Sequence, residues 1–403
     1  MKAAILLIGT ELLNGAMIDT NSIYIAEELN KYGIEIEYKI MVRDVIDEIR
    51  KALSFAKKNV DLIITTGGLG PTDDDITKEA IAKFLKKKML IDDKEKKELI
   101  KKYKDRKIEK KNNFKEIEKP EGAISFKNDV GMAPAVFVDD IVAFPGFPNE
   151  LKNMFPKFLK YYSKEKKLKS KIYIKDIITC GIGESILEDT VKELFTEENI
   201  FYEFLVKDYG TLIRLQTKIE NKKNVEKIVK KLYNKIAGFI IGEDEDRVEN
   251  KIFEHLKSAN HALTLSTAES CTGGMIASKL IDVAGISCFF QEGIVCYSNH
   301  AKIKRLKVKP ETLEKYGAVS EQTAFEMLKG LKTDIGISTT GIAGPEGGTA
   351  TKPVGLVYIG IKVGKKIEVL RKEFKGERNK IRQRATLFAM YKLLKMLEKG
   401  YDI

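Results

Sequence analysis

Cysteine and histidine are scarce in this sequence. The 403 residues include four cysteines, with no Cys-x-x-Cys pair, and three histidines that lack the spacing of metal ligands (Cys180, Cys271, Cys288, Cys296; His255, His261, His300). So few cysteines in so long a chain exclude a disulfide framework. The histidine pattern leaves oxygen atoms as the ligands of any bound metal.

Long apolar runs are also absent. No stretch reaches the length of a membrane span. Met1–Gly9 lacks the charged region and the small-residue cleavage site of a signal peptide, and Ala3–Ile8 has the pattern of a first core strand. We therefore expect a cytoplasmic protein that does not associate with membranes.

The net charge is +12, which is typical of proteins that meet acidic ligands or nucleic acid. The lysines, however, are diluted by glutamate and are not interleaved with aromatic residues. Lys86–Lys119 alternates charge sign at helical spacing, and we interpret it as a solvated helix surface. Nucleic-acid binding is not expected, because a real footprint clusters on one face.

The order of predicted elements indicates three domains. Residues 1–165 alternate strands and helices, which predicts a parallel α/β sheet, and the charged segment Tyr161–Ser170 is the first expected boundary. Residues 171–245 form a small α+β module that resembles a KH-like fold, although Glu184 stands in its Gly-x-Gly-Glu turn where a nucleic-acid clamp needs a neutral or basic residue. Residues 246–403 predict a second α/β domain.

The first domain contains a strand followed by a glycine loop. Leu62–Thr66 predicts a buried strand, and a helix is predicted after the loop, with Thr72 or an aspartate as its N-cap. Exposed backbone N–H groups at Gly67, Gly68 and Gly70 would suit an anion such as phosphate.

Three aspartates, Asp73–Asp75, follow that glycine loop. They would repel a phosphate unless a hard cation lay between them, so phosphate plus metal is one interpretation. Simple capping of the helix is the other. Glu11 and Asp44 follow the first two predicted strands, and the carboxyl ends of parallel strands collect ligands.

The third domain contains a candidate nucleophile. Ser270 stands between a predicted strand and a helix whose first turn includes Gly273 and Gly274, so backbone N–H groups could stabilise an oxyanion. Lys302 could serve as its base if burial lowered the lysine pKa, with Tyr297 assisting. The alternative for Ser270 is a helix N-cap.

Two further features belong to the same domain. Cys271 is a rival nucleophile whose simpler interpretation is a small buried residue. The second glycine loop suits phosphate or ribose, and Arg378 and Arg382 could bind a phosphate or lie on a solvated helix face. The loop residues singled out as substrate ligands are Thr340, Gly341 and Gly344.

At this point the chain resembles the CinA family (competence/damage-inducible protein A) over nearly its full length. Ten motifs occur in the family's order: IGTELLNG, DTNS, TTGGLGPTDDDIT, GMAP, FPGFPNE, CGIGES, AESCTGG, YSNHAK, GAVSE and TGIAGPEGG. The resemblance implies a molybdopterin-binding-like domain, a KH-like domain and a C-terminal domain that deamidates nicotinamide mononucleotide (NMN). It also implies a homodimer.

The resemblance implies two activities and their residues. Ser270, Tyr297 and Lys302 would catalyse NMN deamidation without a cofactor. The first domain would hydrolyse ADP-ribose with a divalent cation, Mg²⁺, Mn²⁺ or Co²⁺, and K⁺ is a further candidate. Its implied metal residues are Glu11, Asp44, Asp74 and Asp75, and its implied substrate residues include Asn21 and Thr77.

The sequence departs from the family pattern at three positions. Ala135 replaces a glycine and could tighten a turn, His300 replaces a glutamate near Lys302, and Phe144 replaces a leucine. Two other functions stay open. One is a nucleotide- or pterin-binding regulator of competence without catalysis, and the other is molybdenum-cofactor assembly, which leaves the serine site unexplained.

Overall fold

The computed structural model describes residues 1–105, 114–195, 199–259 and 263–400. The chain divides into two compact units, an N-terminal unit (Met1–Tyr173) and a C-terminal unit (Ile174–Ile403). The C-terminal unit contains both the predicted middle module and the predicted third domain. The three-domain division made from the sequence stays a prediction.

The N-terminal unit is an α/β structure. Its described strands are β1 (Lys2–Ile8), β2 (Glu35–Val42), β3 (Leu62–Thr66), β4 (Met89–Leu90), β5 (Lys119–Pro120), β6 (Ile124–Phe126), β7 (Ala135–Val138) and β8 (Ile141–Phe144). Its described helices are α1 (Thr10–Leu13), α2 (Asn21–Asn30), α3 (Ile46–Asn59), α4 (Thr77–Leu85), α5 (Asp93–Asp105) and α6 (Pro148–Glu165).

Six of these strands form one sheet in the order β2-β1-β3-β8-β7-β6. Strands β2, β1, β3 and β8 are parallel to one another. Strand β7 pairs antiparallel with β8, and β6 pairs antiparallel with β7. Alternate residues of β1 face two different cores: Ile5 packs with residues of α2 and α6, and Leu6 packs with residues of α3 and α4. Because both faces are covered, the strand is apolar from Ala3 to Ile8, and its carboxyl end is left for ligands.

The C-terminal unit contains two further sheets. Its described strands are β9 (Ile172–Thr179), which begins just before the unit boundary, β10 (Ile200–Lys207), β11 (Gly210–Lys218), β12 (Ile240–Glu243), β13 (Leu265–Glu269), β14 (Phe290–Val295), β15 (Ile335–Gly341), β16 (Leu356–Val363) and β17 (Lys366–Glu373). Its described helices are α7 (Glu184–Val191), α8 (Lys222–Ile236), α9 (Val248–Ser258), α10 (Met275–Ile281), α11 (Asn299–Leu306), α12 (Pro310–Tyr316), α13 (Glu321–Gly330) and α14 (Arg378–Glu398).

The sheets are β10-β11-β9-β12 and β14-β13-β15-β16-β17. In the second, β14, β13 and β15 are parallel, whereas β16 and β17 are antiparallel additions. One hydrophobic core joins residues of both sheets, and the Tyr391 hydroxyl of α14 donates to the carbonyl of Gly238 at 2.6 Å. The parallel part brings the ends of β13 and β15 together, which positions the loops after them.

The prediction for the helix after the first glycine loop was wrong at its start. Helix α4 begins at Thr77 with Ile76 as N-cap and no side-chain cap, so neither Thr72 nor an aspartate caps it. Asp73 and Asp74 lie in a turn, and Asp75 lies in irregular backbone before the helix. The capping interpretation of these aspartates is therefore wrong.

Two charged segments contain buried side chains that their charge pattern does not predict. Within Lys86–Lys119, helix α5 covers Asp93–Asp105, residues 106–113 lie outside the described residues, and Glu116 is buried. The segment Tyr161–Ser170 begins inside α6, and Tyr162 is fully buried in the core. The charge pattern of a segment does not indicate which of its side chains are buried.

Elements in the last part of the chain were also missed. The sequence did not predict α12 or β17. The charged residues of β17 mask its alternation of buried and exposed positions. The predicted end of a helix at Asn260, and the start of a strand at Ala262, lie outside the described residues. In the part of the chain that the structure describes, no helix is both long and apolar enough to span a bilayer.

Candidate functional site

Ser270 follows strand β13 directly. Its backbone N–H donates to the carbonyl of Thr339 on β15 at 2.9 Å, which fixes the residue against the sheet. The N-cap interpretation of Ser270 is wrong, because α10 begins at Met275 and its N-cap is Gly274, with a φ of 91°. The Ser270 hydroxyl is therefore not used to begin the helix.

Lys302 is buried beside that serine. The side chain is 1% exposed, and its Nζ lies 3.0 Å from each of three oxygens: Ser270 Oγ and the carbonyls of Cys296 and Tyr297. Burial lowers the pKa of Lys302 below its usual range. When the amine is neutral its two hydrogens can be donated to the two carbonyls, so its lone pair faces the serine hydroxyl.

Glu269 holds the beginning of the neighbouring helix. This carboxylate is fully buried and accepts the backbone N–H groups of Gly274 at 2.9 Å, Ile276 at 3.2 Å and Ala277 at 2.9 Å. The Gly273 N–H donates to the Ser270 carbonyl at 3.2 Å. The two glycine N–H groups expected to bind an oxyanion are thus already hydrogen-bonded.

Sequence reasoning missed Glu269. An acidic residue at the end of a strand, five residues before a helix N-cap, is the signal that could have identified it. A negative charge at a helix N-terminus is favourable because of the helix dipole.

A cavity of about 150 Å³ lies over the serine and the lysine. The predicted residues that line it include Tyr297, Thr340, Gly341 and Arg378. Arg378 donates to the Gly344 carbonyl at 2.6 Å and to the Tyr297 hydroxyl at 3.2 Å, so it is held at the mouth.

Arg382 has a different position. It donates to the carbonyls of Cys271 at 3.2 Å and Thr272 at 3.1 Å, and it does not line the cavity. It therefore holds the loop that carries Ser270. The expectation that both arginines bind phosphate is supported by geometry for Arg378 alone.

Cys271 is poorly suited to act as the nucleophile. Burial raises the pKa of its thiol to about 12, so the reactive thiolate is rare near neutral pH. His300 is exposed on α11, and among the described residues it makes no hydrogen bond to Lys302. Among the described residues, neither side chain is a hydrogen-bond partner of Lys302 Nζ.

A larger cavity of about 610 Å³ lies in the N-terminal unit. Its lining includes residues that follow the ends of β1, β2 and β3 and that the sequence predicted as site residues. The predicted site residues that line it are Glu11, Asn21, Asp44, Gly67, Gly68, Gly70, Asp74 and Asp75. Thr77 does not line it: this buried residue donates its hydroxyl to the Gly67 carbonyl at 2.8 Å and so supports the loop.

The aspartates of this cavity are already hydrogen-bonded. Asp44 accepts from the N–H of Thr10 at 2.9 Å and from its hydroxyl at 3.0 Å. Asp75 accepts from the N–H of Thr72 at 2.9 Å, and both Asp74 and Asp75 contact the Thr72 hydroxyl. The hydrogen bond from the Thr72 hydroxyl lowers the pKa of the Asp74 carboxyl group.

No group of three or more histidine, cysteine, aspartate or glutamate residues within the described ranges is close enough to hold a metal ion. A pair of carboxylates still suits Mg²⁺, which is usually bound by one or two carboxylates together with substrate phosphates. The Asp74 and Asp75 carboxylates form such a pair beside the glycine loop.

Two other expectations can be compared with the structure. Ala135 is the buried first residue of β7, so it does not tighten a turn. In the Gly-x-Gly-Glu turn, Gly181 has a φ of 84° and packs on Tyr391, where a Cβ would lie 2.7 Å from the ring. This packing supports a structural role for the turn.

The fold and the sites define a multidomain α/β protein with a buried serine–lysine pair. Three family models match the chain: the CinA C-terminal domain at residues 245–397, a probable molybdopterin binding domain at 4–165 and the damage-inducible protein CinA KH domain at 175–260. They confirm the predicted fold class.

Curated relatives match over nearly the whole chain. A CinA-like protein of Fusobacterium nucleatum subsp. nucleatum is 77% identical over 99% of both chains. A putative competence-damage inducible protein of Clostridium beijerinckii is 43% identical over 99% of this chain and 100% of its own. This chain therefore belongs to the CinA family.

Solved structures match part of the chain. The crystal structure of a CinA superfamily protein from Klebsiella pneumoniae is 35% identical over 38% of this chain and 97% of that chain, with a TM-score of 0.36.

Proposed function

We propose that this CinA-family protein deamidates NMN at Ser270 and hydrolyses ADP-ribose in the N-terminal cavity. The observation that supports the first activity is the buried Lys302 amine, 3.0 Å from the Ser270 hydroxyl and bonded otherwise to two carbonyls. A buried amine without a paired carboxylate is costly for stability. It fits a general base better than a structural lysine.

In the proposed deamidation, Ser270 Oγ attacks the carboxamide carbon while its proton moves to Lys302 Nζ. The amine then returns the proton to the departing nitrogen, and ammonia leaves. Water next hydrolyses the ester, with Lys302 again accepting a proton, and nicotinate mononucleotide is released. The oxyanion would be bound by the N–H group of Cys271, which lines the cavity, since those of Gly273 and Gly274 are engaged.

The size of the cavity supports a substrate of which only one part is enclosed. Its volume of about 150 Å³ lies below the roughly 300 Å³ at which ligand pockets typically begin. It would enclose the pyridine ring and its carboxamide. The ribose phosphate would then extend to the mouth, where Arg378 could bind the phosphate.

For ADP-ribose, Asp74 and Asp75 would hold the divalent cation, with Asp44 and Glu11 at the same cavity. The cation, when bound, would neutralise charge on the pyrophosphate during attack by water. The chain's own contribution is the glycine loop, whose Gly67 can have no side chain because a Cβ would lie 2.0 Å from the Ile8 carbonyl. Backbone N–H groups of this loop would orient the phosphates.

The deciding experiment measures ammonia and nicotinate mononucleotide formed from NMN by metal-free protein. We expect turnover in the wild type and loss of nearly all of it in Ser270→Ala. Lys304→Ala, which changes an exposed lysine on the same helix as Lys302, should behave as wild type. Absence of turnover in folded wild-type protein would favour a non-catalytic nucleotide binder.

A further inference from the structure

The exposed face of helix α8 carries charge of almost one sign. The buried face of this helix is formed by Val225, Ile228, Leu232 and Ile236. The exposed face contains six lysines and one glutamate: Lys222, Lys223, Glu226, Lys227, Lys230, Lys231 and Lys235. The expectation that nucleic acid does not bind rested on the lack of such a one-sided cluster, and α8 provides one.

Four of these lysines have no charged partner among the described residues. The lysines at the two ends of the helix are paired, Lys222 with Glu226 at 3.6 Å and Lys235 with Glu193. The structure gives no hydrogen bond or ion pair with a described residue for the side chains of the other four, Lys223, Lys227, Lys230 and Lys231. Their spacing of three or four residues places them along one side of the helix, and we call them the lysine stripe.

The lysine stripe makes the helix less stable on its own. Lys227 lies four residues from both Lys223 and Lys231, and like charges at this spacing repel each other. The first turn of α8 has no acidic residue, so Lys223 also lies at the positive end of the helix dipole without a compensating charge. A bound polyanion would remove both costs.

The surroundings of the stripe indicate which kind of polyanion suits it. An amphipathic helix binds a lipid surface by inserting its apolar face, but the apolar face of α8 is already buried in the protein. A nucleic-acid duplex needs no apolar contact. It carries one negative charge for about every 1.7 Å of its axis, and a row of lysines gains affinity by releasing its counterions.

We propose that the lysine stripe of α8 binds the phosphate backbone of a nucleic-acid duplex without selecting its base sequence. The stripe does not include the Gly-x-Gly-Glu turn, whose Gly181 packs on Tyr391. The binding surface lies outside both candidate sites, and it depends on neither of the two proposed reactions.

The test titrates the full chain into a fluorescently labelled duplex of about 20 base pairs and follows anisotropy from about 50 to 200 mM salt. If the four lysines neutralise four phosphates, the logarithm of the affinity should fall with the logarithm of the salt concentration with a slope of about −3.6. The affinity then falls roughly 150-fold over this range. DNA and RNA duplexes of one sequence are compared, and the tighter ligand identifies the type of nucleic acid.

The test variant carries Lys223→Gln, Lys227→Gln, Lys230→Gln and Lys231→Gln together. Glutamine removes the charge and keeps a good helix former at each position. We expect this variant to bind the duplex about tenfold or more weakly at the lowest salt concentration, and to lose most of the salt dependence. Its urea midpoint should not decrease.

Helix α5 provides the matched control, because its exposed lysines stand among the exposed acidic residues Asp93, Glu98 and Asp105. The control variant changes four of these lysines to glutamine: Lys94, Lys97, Lys101 and Lys104. The net charge falls by the same amount as in the test variant. Duplex affinity should stay within about twofold of the wild type, since charges outside the contact are screened by salt.

Three results would overturn the proposal: no duplex binding by the wild type at the lowest salt concentration, equal loss of affinity in the two fourfold variants, or unchanged affinity in the test variant. Vesicles of phosphatidylserine and phosphatidylcholine are the competing ligand. If they bind as tightly as the duplex and the same four lysines are required, the stripe contacts a membrane surface and the nucleic-acid proposal fails.

Discussion

At the scale of single residues, the proposed deamidation depends on the protonation of Lys302. Its pKa is lowered by burial, so the neutral amine that can accept a proton forms at lower pH than in an exposed lysine. Three oxygens surround Nζ, and the hydroxyl of Ser270 is the one that carries a transferable proton.

The pH dependence of deamidation follows from this burial. We expect kcat to rise with pH through the lowered pKa of Lys302 and to level off before pH 10.5, the ordinary lysine value. The measurement is ammonia release from saturating NMN from weakly acidic pH up to pH 10.5. A rate that is flat or falls over that range would contradict the assignment of Lys302 as base.

The same group affects stability with a defined sign. Because the folded-state pKa is lowered, the unfolded state binds more protons between that pKa and 10.5. The free energy of unfolding of the wild type, relative to Lys302→Met, should therefore rise with pH in this window. Urea unfolding of both proteins at several pH values measures the difference, and a fall with pH would contradict the buried, unpaired amine.

Cys271 provides the complementary prediction. Burial raises the pKa of its thiol to about 12, so Cys271→Ala should keep NMN turnover within about tenfold of the wild type. Loss of a buried sulfur should cost on the order of 1 kcal/mol of stability. Loss of turnover as large as in Ser270→Ala would make the cysteine the nucleophile.

At the scale of secondary-structure elements, the loops that follow the strands contain the residues of the proposed sites. The Glu269 carboxylate connects the end of β13 to the first turn of α10. The backbone carbonyl of Glu269 accepts the Cys296 N–H at 2.8 Å. The residue therefore holds both the loop of Ser270 and the segment whose carbonyls contact Lys302.

Glu269→Gln should destabilise the C-terminal unit, because one amide group presents N–H donors to the N–H groups of the helix. We expect a loss of about 1–3 kcal/mol in the free energy of unfolding, measured in urea. Glu292→Gln on the exposed strand β14 is the control and should change little. Equal midpoints for the two variants would show that the Glu269 charge is not needed.

The first glycine loop gives a steric prediction. A Cβ at Gly67 would lie 2.0 Å from the Ile8 carbonyl, whereas one at Gly15, also at positive φ, would meet nothing within 4 Å. Gly67→Ala should abolish ADP-ribose hydrolysis, and Gly15→Ala should cost about 1 kcal/mol of stability and retain activity. Hydrolysis that survives in Gly67→Ala would exclude the loop from the site.

How much the sequence could predict depends on the local signal. Strand Leu62–Thr66 was predicted with its observed ends because glycines follow it directly. The start of α4 was not predicted, since Thr72 and the aspartates have the sequence pattern of an N-cap although they lie in the loop before the helix. Lys302 stands in a segment rich in lysine, and only the fold reveals that this one is buried.

At the scale of the whole molecule, the two units have separate hydrophobic cores and separate cavities. The two proposed reactions should therefore respond to different changes. Chelation of divalent cations, or Asp75→Ala, should stop ADP-ribose hydrolysis and leave NMN deamidation unchanged. Parallel assays of both reactions test this, and loss of deamidation on chelation would argue against a metal-independent site.

The most direct measurement is the rate of ammonia release from NMN by Lys302→Met compared with the wild type, in metal-free buffer. Methionine keeps the apolar stem and removes the base, so we predict a loss of about 10²–10⁴-fold with no decrease in the urea midpoint. A folded Lys302→Met protein that keeps a tenth or more of the wild-type rate would contradict the serine–lysine mechanism.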